Sequence, residues 1–307
     1  MAGGQGTRLY PLSTEEKPKQ FLDLLATGKT LIQLTYERFL AVDPEAEFWV
    51  VTSDRYVHFI KEQLPAIPES HILAEPVPRN TAPCISYAIW KIKSEFGPSN
   101  IVVTPSDAFV SCIDSFVVTI KKALSFTASD PSAIVCVGIQ PGEPHTGYGY
   151  IEISSRDEMQ VVDNKFDIIK VKSFKEKPGL ETAKKYLERG NYLWNAGIFV
   201  WSASAIESEL RKNAPLIAGI MDQISKSFGT PEEASTLAEL FPACEKISID
   251  YAVMEKSPNV YCIPACWPWS DLGSFAAVER ITGRKFSKEI LDAQEAYQAA
   301  KNNSKKS

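Results

Sequence analysis

The sequence predicts an α/β protein: a mostly parallel mixed sheet with helices on both faces. Short apolar runs such as "EFWVVTS" and "NIVVTPSD" read as strands buried on both sides. Segments with helical apolar spacing separate them. A glycine-rich loop carrying cations, "MAGGQGTRLYPLSTEEKPKQ", opens the chain. Sheets of this kind take ligands beyond the carboxyl ends of their strands.

Each element has its own signal. "KTLIQLTYERFL" has one apolar helical face, and "EFWVVTS" is a buried strand. In "DRYVHFIKEQL", Val57, Ile60 and Leu64 share a helical face, with Asp54 in N-cap position. "HILAE" is a short strand. Ile85, Ile89, Ile92 and Phe96 follow helical spacing in "NTAPCISYAIWKIKSEF", and "NIVVTPSD" is a strand entering a loop. Further on, turn residues crowd the strands of "AIVCVGIQPGEPHTGYGYIEIS" and "FDIIKVKSFKEKPG". "LETAKKYLERG" is an amphipathic helix, and "YLWNAGIFVWSA" is a strand with a polar bend. A mainly helical stretch then runs to about Leu240. The three histidines, His58, His71 and His145, are scattered and suggest no catalytic dyad.

Composition narrows the function. With 307 residues, 44% hydrophobic and 23% charged, the chain suits one large domain or two fused lobes. A net charge of −5 argues against broad nucleic-acid binding, so an anionic ligand must be held by local cations, N–H groups or a metal. Cys84, Cys112 and Cys136 sit in or beside apolar runs and read as reduced packing residues. Cys262 and Cys266 are spaced for a metal but have no histidine near them. Apolar runs fall short of a membrane span and no signal peptide is visible, which makes a cytoplasmic protein the default expectation.

The opening loop carries the first chemistry. Gly3, Gly4 and Gly6 let backbone pass close to a ligand, and Arg8 and Lys19 add charge suited to phosphate. The strand-end rule makes the segments 3–8, 75–81 and 106–107 spatial neighbours. A surface turn with solvated charges is the plainer reading of the loop. A phosphate loop is positioned by the strand before it, so an apolar first strand ending at or just after Met1 is expected. On this reading that strand is missing from the chain and Met1 is not its natural start.

Eight motifs occur in order: "GGQGTRLYPLS…KPKQFLDL", "EPVPRNTAP", "TPSDAFV", "HTGYGYIEI", "FKEKPG", "WNAGIFVW", "SIDYAVMEK" and "WSDLGSF". Together, over roughly Met1 to Val278, the chain resembles the mannose-1-phosphate guanylyltransferases, or GDP-mannose pyrophosphorylases. The resemblance implies a Rossmann-like nucleotidyltransferase fold and transfer of GMP from GTP to mannose 1-phosphate, with Mg²⁺. Gly3, Gly4, Gly6 and Thr7 would then meet the triphosphate, Arg8 the β- and γ-phosphates, and Lys19 the reacting α-phosphate. Asp107 and Asp271 would hold the metal, although a turn or helix cap explains either alone. Arg79, Asn80 and Thr81 would surround the guanosine, with Glu75 a weaker candidate; capping alone explains Asn80 or Thr81. Gly147, Glu176, Lys177 and Asn195 would take the sugar phosphate. Plainer readings are a hairpin turn at Gly147 and a solvated pair at Glu176 and Lys177. Asp250 and Tyr251 would line the sugar pocket.

With no Pro-rich linker along the chain, two lobes sharing one sheet are expected: residues 1–130 as a nucleotide-binding lobe, 131–278 as a sugar-phosphate lobe, and 279–307 as a helical, partly disordered tail. The tail lacks the hexapeptide period of the β-helix that many such proteins carry, so oligomer contacts of that type are in doubt; a homo-oligomer stays open. Two other readings compete: a transferase for a heptose or glucose phosphate, and a non-catalytic regulatory subunit that binds nucleotide sugars.

Overall fold

Strand and helix follow one another much as the apolar spacing asks. In this computed structural model the described residues are 1–4, 6–154, 161–162, 165–166 and 168–304. Helix α1 (Leu31–Leu40) starts at a capping box formed by Thr30 and Gln33. Strands β1 (Val50–Ser53) and β2 (Ile72–Glu75) pair in parallel across α2 (Val57–Gln63). Next come α3 (Thr81–Phe96), β3 (Asn100–Val103), β4 (Phe109–Val110), α4 (Ile113–Ser129) and β5 (Ile134–Ile139). The middle of the chain forms β6 (Tyr150–Ile153), the hairpin of β7 (Val161–Val162) and β8 (Lys165–Phe166), β9 (Ile169–Lys175), α5 (Leu180–Arg189) and β10 (Tyr192–Ser202). Helices α6 (Ala203–Asn213), α7 (Pro215–Ile224) and α8 (Glu233–Leu240) make up the expected helical stretch. Then follow β11 (Val260–Ala265), β12 (Trp269–Ser270), α9 (Phe275–Thr282) and α10 (Lys288–Ser304).

The main sheet has the order β3-β10-β5-β11-β9-β6, and β6 also pairs with the first residues of β10. One face packs on α3, α6 and α7 through Ile85, Ile89, Trp201 and Met221. On the other, Phe116 and Ile120 of α4 meet Val135, Val137 and Trp267. The expected mixed α/β sheet, covered on both sides, is therefore present. Its strand directions differ from the expectation of mostly parallel pairing. Among the described residues only β1–β2 and β5–β11 run parallel, because β10 returns antiparallel between β3 and β5. Continuous apolarity reports burial of both strand faces; it carries no record of direction.

One capping expectation is also corrected. Asp54 lies in a 3₁₀ turn, Asp54–Tyr56, and α2 begins only after Tyr56. The Tyr56 ring is fully buried and its hydroxyl donates to the Glu15 carbonyl, which holds the chain in that turn.

Residues far apart in the chain meet below the opening loop. Leu9 and Leu272 are buried in one cluster with Leu31, Phe275 and Val278. Each such side chain contributes about 1.5–3 kcal/mol by leaving water. β4 and β12 pair antiparallel, Phe109 opposite Ser270, directly beside Asp107 and Asp271. Met1 and Ala2 run between β1 and β3: Ala2 N–H donates to the Val51 carbonyl, and the Met1 amine to that of Thr104.

Candidate active site

The opening loop is shaped by contacts that exclude side chains. Gly6 has φ +59°, and a Cβ there would lie 2.7 Å from Ser13 Oγ and 2.9 Å from the Lys19 nitrogen. At Gly3 a Cβ would come within 3.2 Å of Glu75 Oε2. The buried Gln20 amide donates to the carbonyls of Ala2 and Gly4, both at 2.9 Å. These bonds occupy carbonyls, and among the described residues the N–H groups of Gly3, Gly4 and Gly6 have no hydrogen-bond partner, which leaves them for an anion.

Lys19 stands at the centre of the charged cluster. It follows Pro18 in a 3₁₀ turn whose Gln20 and Phe21 are also buried. A buried ammonium is costly without partners. Here the Asp107 carboxylate lies 3.2 Å away, and the amine donates to the Asp271 carbonyl. Because Leu9 and Leu272 pack together, the residues before them, Arg8 and Asp271, also meet, at 3.3 Å. Tyr148 donates to the other Asp271 oxygen at 2.8 Å. Burial alone would raise the Asp271 pKa, but Lys19, Arg8 and the Tyr148 hydroxyl outweigh it and hold the carboxylate below its ordinary value. Burial, and then the charge of Asp271, push the Tyr148 phenol upward, so it remains a donor.

The segment carrying Asp107 is held from below by α1. Thr35 Oγ1 donates to the Ser106 carbonyl at 3.3 Å. The buried Arg38, lowered to about 10 by burial, reaches the Ala108 carbonyl at 3.4 Å. Of the expected meeting of segments 3–8, 75–81 and 106–107, the contact of Gly3 with Glu75 is present; Asp107 meets Lys19, outside those segments, and Arg79 and Thr81 find partners at Pro242 and Ile249 instead.

A second cluster forms around Asn195. Asn195 forms the last pair, with Gly138, before a bulge that runs to Phe199 and contains Gly197 at φ +72°. Its amide donates to Asp250 at 3.1 Å, and its carbonyl oxygen accepts the Gly197 N–H at 3.0 Å. Burial and then the neighbouring Glu176 raise Asp250 to about 7. Glu176 pairs with the exposed Lys177, and a Cβ on Gly149 would fall 2.6 Å from Glu176 Oε2. Gly147 donates its N–H to His145 Nδ1, and Tyr251 is exposed. Tyr148 and Gly149 bridge the clusters, since the Asn195 N–H donates to the Gly149 carbonyl.

The third set has mostly local partners. Asn80, at φ +69°, caps α3 by accepting from the Thr81 N–H, so the cap is Asn80 rather than Thr81. The Thr81 hydroxyl accepts the Ile249 N–H, beside Asp250, and Arg79 donates to the Pro242 carbonyl. Thr7 faces α10: its carbonyl accepts from Gln298 and its hydroxyl from Lys301.

Sequence reading left out Gln20, Thr35, Arg38 and Tyr148. Gln20 and Tyr148 lie inside quoted motifs; Thr35 and Arg38 read as the polar side of a helix. Among the described residues no three His, Cys, Asp or Glu side chains gather as a metal site. The Lys19 ammonium meets the Asp107 carboxylate and the Asp271 backbone carbonyl, while the Asp271 carboxylate is held by Arg8 and Tyr148; two such carboxylates are hard oxygen donors that suit Mg²⁺ completed by substrate phosphates and water. No helix among the described residues is long and apolar enough to cross a membrane.

Residues 1–285 match the family model described as nucleotidyl transferase. A mannose-1-phosphate guanylyltransferase of Sinorhizobium fredii is 37% identical over 282 residues, 91% of this chain and 53% of the relative. One of Escherichia coli K12 is 34% identical over 290 residues, 92% of this chain and 59% of the relative. The chain thus spans little more than half the length of these relatives. A solved structure from Thermus thermophilus, named mannose-1-phosphate geranyltransferase, superposes with a TM-score of 0.80 at 29% identity, covering 93% of this chain and 78% of that one. A UDP-glucose pyrophosphorylase, at TM-score 0.56 and 18% identity over 97% of both chains, shares the fold. The chain belongs to the nucleotidyl transferase family.

Proposed function

We propose that this chain transfers GMP from GTP to mannose 1-phosphate, giving GDP-mannose and pyrophosphate. The observation that carries the reading is Lys19, buried between Asp107 and Asp271 beside a loop whose amides are left open. The names of the relatives support the choice of sugar and base. The sugar-phosphate oxygen attacks the α-phosphorus of GTP, the bond to the β-phosphate oxygen breaks, and pyrophosphate leaves on the opposite side. Alignment and cover for negative charge do most of the work in such a displacement. Loop amides from Gly3 to Thr7 and the Arg8 fork grip the triphosphate. Lys19 meets the charge that develops on the α-phosphate. Asp107 and Asp271 would hold Mg²⁺, which supplies Lewis-acid charge at the phosphates. Arg79, Asn80 and Thr81 line the base side; Gly147, Glu176, Lys177 and Asn195 receive the sugar phosphate. In this reading residues 1–130 serve the nucleotide and 131–278 the sugar.

Turnover with a panel of nucleotides and sugar 1-phosphates tests the reading, with Asp107→Asn and Asp271→Asn alongside. The parent chain is expected to prefer GTP and mannose 1-phosphate and to need Mg²⁺. Each variant should lose about 100-fold or more in kcat with its circular dichroism unchanged. Preference for another sugar phosphate reassigns the substrate; absence of turnover on the whole panel removes the enzymatic reading.

A further inference from the structure

Helix α10 crosses the opening loop on one side. Ile290 and Leu291 near its start pack against the cluster of Leu9, Leu272 and Phe275, which fixes where the crossing begins. Beyond them Gln294, Tyr297, Gln298 and Lys301 recur at helical spacing and form one stripe. Their contacts run backwards along the loop. Gln294 donates to the Arg8 carbonyl, Gln298 to the Thr7 carbonyl, and Lys301 to the Thr7 hydroxyl at 2.9 Å. The next residue in that direction is Gly6, whose N–H is among those left for an anion.

The Lys301 ammonium is also held from its own helix. It lies 5.8 Å from the centre of the Tyr297 ring, and that ring stacks on Tyr10. Ordering so long a side chain costs entropy, and tethering a helix to a loop does not require a charge. Two glutamines already do that at 294 and 298. Charge at the site gives the lysine a different task. Arg8 faces Asp271 at 3.3 Å and Lys19 faces Asp107 at 3.2 Å, so these two cations are matched by two carboxylates. A triphosphate brings further negative charge on its β- and γ-phosphates, and Lys301 stands at the loop residue nearest to where they would lie.

We propose that Lys301 is a phosphate ligand: its ammonium donates to the β- and γ-phosphates of a nucleoside triphosphate seated on the opening loop. The assignment rests on the GTP reading of the site and extends it to a residue from the far end of the chain. Lys301 grips the phosphates that leave as pyrophosphate and does not touch the reacting α-phosphorus. It therefore favours a triphosphate over a monophosphate, which lacks both of its partners.

Calorimetry of GTP and GMP binding tests this on the parent, on Lys301→Met, which keeps the stem without the charge, and on Lys301→Arg. GTP affinity is expected to fall about tenfold in the Met variant and to be largely kept in the Arg variant. GMP affinity should be the same in all three. The Met deficit should shrink as salt rises, because it is a deficit of charge. Acetylation of Lys301 by acetic anhydride, read by peptide mass spectrometry, should slow severalfold with GTP and not with GMP. Equal GTP affinity in parent and Met variant, or an unprotected Lys301 at saturating GTP, overturns the proposal and leaves the GTP reading standing. A deficit shared by GMP, or unmoved by salt, makes Lys301 a tether of α10 and overturns it too. A parent that binds no GTP removes the reading and the proposal together.

Discussion

Glu75 ends β2 with its carboxyl buried against Gly3. Desolvation raises its pKa to about 7, opposed by the nearby N-terminal amine. The unfolded chain releases this proton near 4.5. Between those values the folded state binds more protons, so the contribution of Glu75 to stability is full below about pH 4.5 and is lost as pH rises through about 7. Glu75→Gln keeps the volume and removes the titration. Its Tm relative to the parent should therefore improve steadily from pH 4.5 to 7.5. A difference constant across that range would show that Glu75 does not titrate there. Glycines act at the same scale: Gly273 leaves room for Arg8 to reach Asp271, where a Cβ would sit 2.7 Å from Arg8 Nη1.

Among the elements, α10 reaches back across the whole chain to the opening loop. Gln294 donates to the Arg8 carbonyl at 2.8 Å and Gln298 to the Thr7 carbonyl at 3.2 Å. Tyr297 stacks on Tyr10 with ring centres 4.4 Å apart. The helix thus holds the outer side of the loop by its carbonyls, as Gln20 does on the inner side. Each bond contributes about 1 kcal/mol, so Gln294→Ala combined with Gln298→Ala should raise KM for GTP about tenfold while kcat changes little. Initial-rate kinetics decide it; an unchanged KM would mean the loop keeps its shape without α10. The spacing of "KEILDAQEAYQAAKNNS" reveals a helix, but nothing local in it names the loop as partner.

At the scale of the whole molecule, the proposed reaction would divide its two substrates between the two charged clusters. Arg8 and Lys19 belong to the opening loop, Lys177 to the segment after β9, and Tyr148–Gly149 join them. Arg8→Ala should chiefly raise KM for GTP, and Lys177→Ala KM for the sugar phosphate, each by about 10–100-fold. Substrate titrations showing the two effects exchanged would refute this division of the sheet into two functional ends.

Much of the fold was legible because its causes are local. Apolar period placed α1, α3 and α5; strand continuity placed β1, β3 and β5; glycines and the Asn–Thr pair marked the loop and the start of α3. Strand direction was not legible, since β10 is as apolar antiparallel as it would be parallel. Nor was the meeting of Arg8 and Asp271, which rests on Leu9 finding Leu272 across the length of the chain. Thr35, Arg38 and Gln20 looked like ordinary helix and turn residues, and only packing aimed them at the carbonyls of the site. A sequence determines which groups are present and what their nearest neighbours make of them. Which distant groups share a dielectric, a hydrogen bond or a substrate is decided when apolar burial closes the chain on itself.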